Sequence, residues 1–108
     1  MSRRPHSYSP WTRDAIGVLG RQIAAERRVR EWTQAELAER AGISTKTLIG
    51  IEKGATGAAI GTVFEVAALV GIPLVGAMEP AARQLIDNRL ALLPTRVDRP
   101  RGDGGDDF

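Results

Sequence analysis

The sequence predicts an all-α fold: a five-helix bundle over residues 9–94, with a flexible N-terminal arm (1–8) and a disordered C-terminal tail (95–108). Three observations carry this. Apolar residues recur at intervals of three and four, the spacing of a helix face rather than the alternation of a strand. Ser, Thr, Gly and Pro fall at the points where such stretches begin and end. The 108 residues are 43% hydrophobic but only 5% aromatic, which suits small helices packed through Leu, Ile, Val and Ala around one modest core.

Met1 to Tyr8 is polar and basic without periodicity, and reads as an arm. Its His6 is the sole histidine, with no second ligand near it, and is expected to be solvated. Ser9-Pro10 reads as an N-cap followed by proline at the first helical position. The helix it opens turns Ile16, Leu19, Ile23 and Arg27 inward. Gly17 and Gly20 each weaken it by roughly 1 kcal/mol relative to Ala, a cost more easily accepted where another element packs closely.

From Trp32 to Gly54 the chain reads WTQAELAERAGISTKTLIGIEKG, two short helices and a turn. Thr33 and Glu36 have the spacing of a capping box, and Trp32 and Leu37 that of a hydrophobic staple. Leu37, Ala38 and Ala41 share one face, and Gly42 stops the helix where a positive φ is needed. Ser44 then caps a second helix, with Ile43 and Leu48 as its staple. That helix turns Leu48, Ile51 and Glu52 inward and ends at Gly54. Two helices joined so tightly must cross steeply.

A fourth helix is expected over residues 58–70. Its apolar positions Ile60, Val63, Phe64, Ala67, Ala68 and Val70 nearly encircle it, which marks it as the core-filling element. Gly71 and Pro73 end it. Glu79-Pro80 opens a fifth helix with Leu85, Ile86, Leu90 and Leu93 at helical spacing, closed by Pro94. Its leucine stripe serves either as cover for the core or as a contact with a second chain. The tail TRVDRPRGDGGDDF has too few apolar residues to fold alone. Its end, Asp106, Asp107 and Phe108, is either a short anchor for a protein partner or a solubilising terminus.

Several functions are excluded or disfavoured. Without cysteine there is no disulfide, thiolate catalysis or Cys-based zinc site. The longest apolar run, near Val70 to Met78, is interrupted by Gly and Pro and too short for a bilayer. Arg3 and Arg4 precede no signal-peptide core, so a cytoplasmic protein with no membrane contact is expected. No Walker-type loop or acid–base constellation is present, so neither an enzyme nor a cofactor or metal site is expected. Charge is uneven: residues 1–54 carry ten Arg and Lys against six Asp and Glu, whereas 55–108 carry five against seven. A basic first half suits nucleic acid.

The stretch TQAELAERAGISTKTLIGIEKG resembles the Xre-type, Cro-repressor-like helix-turn-helix family. The matching positions are Thr33, Gln34, Leu37, Ala38, Gly42, Ile43, Ser44, Leu48, Ile51, Glu52 and Gly54. The resemblance implies a lambda-repressor-like fold and binding of a double-stranded DNA operator as a homodimer. It implies phosphate contacts from Gln34, from Ser44 with its neighbouring amides, and from Lys53. Thr45, Lys46, Ile49 and Gly50 fall where the family meets base edges. It also implies an ion pair between Arg27 and Glu52. Gly50 departs from the pattern, since a long polar side chain is commoner there. Either the backbone approaches DNA closely at Gly50, or readout relies on Thr45, Lys46 and DNA shape.

The flanks LGRQIAAERR and AIGTVFEVAALVGIPL, the LALLP segment and the DDF terminus look like those of HipB-type antitoxins. That resemblance implies an autoregulating repressor that restrains a HipA-like Ser/Thr kinase toxin. The alternatives are a stand-alone, phage-like repressor, or a protein-interaction module that chiefly inhibits an enzyme.

Overall fold

The computed structural model describes residues 7–74 and 79–97. Residues 1–6, which include His6, and the tail from Asp98, with Asp106, Asp107 and Phe108, lie outside the described residues. Five α-helices form in order: α1 (Pro10–Val29), α2 (Gln34–Ala41), α3 (Thr45–Glu52), α4 (Ile60–Leu69) and α5 (Pro80–Leu92). No strand occurs among the described residues. The fold is all-α. The chain divides into two compact units, Met1–Leu74 and Val75–Phe108, so that α1 to α4 belong to the first and α5 to the second.

The helix boundaries of the first unit follow from local chemistry. The Ser9 hydroxyl accepts from the Thr12 amide at 3.2 Å, and Pro10 opens α1. In α2 the box is complete: the Glu36 amide donates to Thr33 Oγ1 at 3.0 Å and the Thr33 amide to Glu36 Oε1 at 2.7 Å. Gly42 ends α2 at φ 71°, and Ser44 starts α3 by accepting from the Thr47 amide at 3.0 Å. The connection from α1 to α2 turns on a residue with no such signal. Glu31 lies at φ 59°, a left-handed conformation that costs an L-residue with a Cβ roughly 1–2 kcal/mol.

α2 packs on α3 and on α4, and α1 packs on α3. Their shared core is Ile23, Leu37, Ala38, Leu48, Ile51, Val66, Ala67, Val70 and Ile72, with Leu19, Trp32, Ile43 and Val63 packed against it. The ring of Trp32 is also covered from outside by the Arg40 guanidinium, 4.2 Å from its centroid. α1 and α3 approach closely at Gly20. A methyl at Gly20 would strike the Ile51 carbonyl oxygen and come within 2.9 Å of that of Glu52, so only glycine lets these backbones meet.

α4 departs from its expected form. It is shorter at both ends, and it buries one face instead of being surrounded. Ile60 is 70% exposed and Phe64 42% exposed, and Ala68 is exposed too. Val66 and Ala67, with Val70 just beyond the helix, are buried in the core, and Val63 and Leu69 pack against it. The reason is the number of neighbours. Within this unit α2 is the helix packed most extensively on α4, and Ile60, Val63 and Phe64 line an open apolar groove with Ile16 and Leu19.

In the second unit, α5 starts at Pro80 and ends before Pro94. None of its residues is buried; Leu85, Ile86, Leu90 and Leu93 all stand exposed. Gln84 Nε2 donates to Asn88 Oδ1 at 2.9 Å, one turn further on.

Candidate nucleic-acid interface

The eight residues of α3 divide cleanly between core and surface. Leu48, Ile51 and Glu52 are buried, Thr45, Lys46 and Thr47 are exposed, and Ile49 and Gly50 are half-buried on the outer side. Lys53, the C-cap, is exposed as well. Thr45, Lys46, Ile49, Gly50 and Lys53 recur at i, i+1, i+4, i+5 and i+8, so they lie on one side of the helix. Thr45 can donate or accept a hydrogen bond and offers a methyl group. Lys46 can bond the O6 and N7 of guanine, or a phosphate.

The buried side anchors that face. Arg27 Nε donates to Glu52 Oε2 at 2.7 Å and Arg27 Nη2 to Glu52 Oε1 at 3.1 Å, a bidentate pair with both residues buried. Arg27 Nη1 also donates to the Trp32 carbonyl oxygen at 2.9 Å, which ties the α1–α2 turn to the same guanidinium. The hydrogen bonds to Glu52 raise the Arg27 pKa against the opposing effect of burial. Among the described residues, no buried side-chain polar atom lacks a partner. An arginine fork suits this place because one planar group meets both carboxylate oxygens.

Gln34 stands at the first position of α2, half-buried, and its side-chain amide donates to Glu52 Oε1 at 3.0 Å. The second proton of that amide, and the Gln34 and Ala35 backbone amides, which have no acceptor within the helix, are the donors left at this helix start. Ser44 is similarly engaged. Its hydroxyl accepts from the Thr47 amide and lies 2.8 Å from Thr47 Oγ1. Thr47 thus belongs to the cap of α3, three residues after Ser44.

Gly50 is not crowded. A methyl there would meet the Ala55 Cβ at 3.5 Å, an ordinary contact, so packing within the protein does not require glycine. Two further residues were missed as interface candidates, Arg21 and Arg28 of α1. They line one cleft with Ala24, Ala25, Gln34, Ile49, Glu52 and Lys53. Among the described residues no set of His, Asp or Glu side chains gathers as a metal site, and no helix is long and apolar enough to cross a membrane.

A short capped helix with a polar outer side, braced from below by a second helix across a tight turn, defines a helix-turn-helix module. A family model described as helix-turn-helix matches residues 23–76, half of the chain. The chain belongs to the Xre/Cro-like helix-turn-helix family, whose members are DNA-binding transcription regulators. No curated protein gives a significant match to it.

Proposed function

We propose that this chain is a sequence-specific repressor that binds its operator as a homodimer and also serves as the antitoxin of a HipA-like Ser/Thr kinase toxin. The observation that carries the DNA half is the exposed outer side of α3, where Thr45 and Lys46 stand free of the core. Thr45, Lys46, Ile49 and Gly50 meet base edges, while Gln34, Ser44 and Lys53 hold phosphates. A single recognition helix reads few bases, so two copies address two half-sites about one helical turn apart, roughly 34–36 Å.

The antitoxin half is supported by the HipB-like flanks and by α5. A helix with Leu85, Ile86 and Leu90 exposed, followed by an exposed Leu93 at its C-cap, offers more apolar surface than solvation favours. We assign that stripe, with Asp106, Asp107 and Phe108, to the protein partner.

The test is a chain truncated after Pro94, assayed for operator binding and for capture of a HipA-like kinase encoded beside it. Retained DNA binding with weakened kinase binding is expected. Equal kinase affinity with and without the tail would leave Asp106, Asp107 and Phe108 as a solubilising end. Absence of a neighbouring kinase gene would favour the stand-alone, phage-like repressor.

A further inference from the structure

We infer that Arg21 and Arg28 of α1, together with Lys53, form a second phosphate-binding edge beside the recognition helix, so that α1 itself grips the DNA backbone. The inference rests on the DNA-binding reading above and extends it to a helix that reading leaves out.

The cleft lined by Arg21, Arg28, Gln34, Ile49 and Lys53 joins the three helices of the motif region at one place. Gln34 opens α2, Ile49 and Lys53 belong to the outer side of α3, and the two arginines come from α1. Arg21 and Arg28 are seven residues apart, two turns or about 10 Å along the helix, so they point to the same side and reach different phosphates. Between them lie Ala24 and Ala25, whose short side chains leave the cleft open for a bulky anion.

The electrostatics also favour an anion. Arg21, Arg28 and Lys53 are exposed, and none of them is paired with a carboxylate among the described residues. Among the described residues the one carboxylate lining the cleft is Glu52, whose oxygens are already occupied by Arg27 and Gln34. Three unpaired cations therefore face one opening. Exposed arginines without a partner gain little for the fold, whereas each one placed on a phosphate releases condensed counterions.

The experiment uses the full chain and a random-sequence 20-base-pair duplex, because phosphate contacts do not depend on sequence. Affinity is measured against salt concentration for wild type, R21Q/R28Q, R21K/R28K and the charge-matched control R83Q/R89Q, whose changes lie in α5. Losing two phosphate contacts lowers the magnitude of the log–log salt slope by about 1.8, and lowers affinity on the order of tenfold per arginine near 0.1 M salt. R21Q/R28Q should show this loss with an intact thermal transition, and R21K/R28K should keep the wild-type slope. An unmoved slope in R21Q/R28Q, or an equal fall in R83Q/R89Q, would overturn the inference while leaving DNA binding in place. A wild-type chain that bound no duplex would instead sink the DNA-binding reading, and this inference with it.

Discussion

The side-chain amide of Gln34 donates to Glu52 Oε1 at 3.0 Å, so the first residue of α2 is fastened to the last residue of α3. Glu52 is itself gripped by Arg27. One carboxylate thus links the interior of the domain to a side chain in the first turn of α2. Removing the Gln34 side chain should weaken binding to all duplex sequences alike, because a phosphate contact carries no base information. Since glutamine is neutral, the salt slope should stay unchanged. A Gln34→Ala chain whose loss was confined to one operator would place Gln34 at a base instead.

Arg27→Ala or Glu52→Ala alone should destabilise the fold by roughly 3–5 kcal/mol, because each leaves an uncompensated buried charge. Denaturant unfolding of both single variants and of the double variant forms a complete cycle. The double variant should be far less unstable than the sum of the singles. Strict additivity would mean that the 2.7 Å contact does not couple them.

Two glycine substitutions should act in opposite directions. Gly20→Ala adds a methyl against the carbonyl oxygens of Ile51 and Glu52, and overpacking of this kind costs roughly 1–3 kcal/mol. That should outweigh the gain in helix propensity of about 1 kcal/mol. Gly50→Ala meets no such obstacle and should stabilise the free protein by about 0.5–1 kcal/mol. Chemical denaturation of the two variants checks both signs.

These contrasts mark how far the residues speak for themselves. The caps at Ser9, Thr33 and Ser44 and the stop at Gly42 were legible because each depends on neighbours within four positions. The exposure of Ile60 and Phe64 was not. Apolar periodicity says which way a helix can face, but not how many neighbours will come to cover it. Glu31 at φ 59° carries no glycine or asparagine to announce a left-handed turn. The meeting of Arg21 and Arg28 with Lys53 was hidden for a third reason, since it exists only once α1 packs on α3. Ile72, beyond the stop at Gly71, donates its amide to the Ala67 carbonyl oxygen at 2.9 Å and returns its side chain to the core, a contact that no local signal announces.

Acid should test the capping box. The hydrogen bond from the Thr33 amide, then that from its hydroxyl, holds the Glu36 carboxyl below the ordinary glutamate range, with a smaller contribution from the charge of Arg40. A folded pKa below the unfolded one means that this stabilisation is complete above about pH 4.3 and is lost as pH falls through the folded value. Glu36→Gln should therefore flatten the acid limb of the melting-temperature profile. Parallel acid limbs in wild type and variant would rule out a protonation-linked role for Glu36.

The two lysines of the recognition region should separate in their effects. Lys53→Ala should weaken every duplex and reduce the salt slope by about 1, as one lost phosphate contact does. Lys46→Ala should chiefly reduce discrimination between sequences, by about 1–3 kcal/mol if its guanine contact is good. Titrations of one operator and one scrambled duplex at several salt concentrations measure both quantities.

The most direct test is selection from a pool of randomised duplexes, run in parallel with wild type and with T45A/K46A. Wild type should enrich a twofold-symmetric sequence whose half-sites are centred about 34–36 Å apart. The variant should still retain DNA at low salt through its phosphate contacts but enrich no common sequence. If wild type enriched nothing, or if T45A/K46A enriched the same sequence, then base readout by the outer side of α3 would be contradicted.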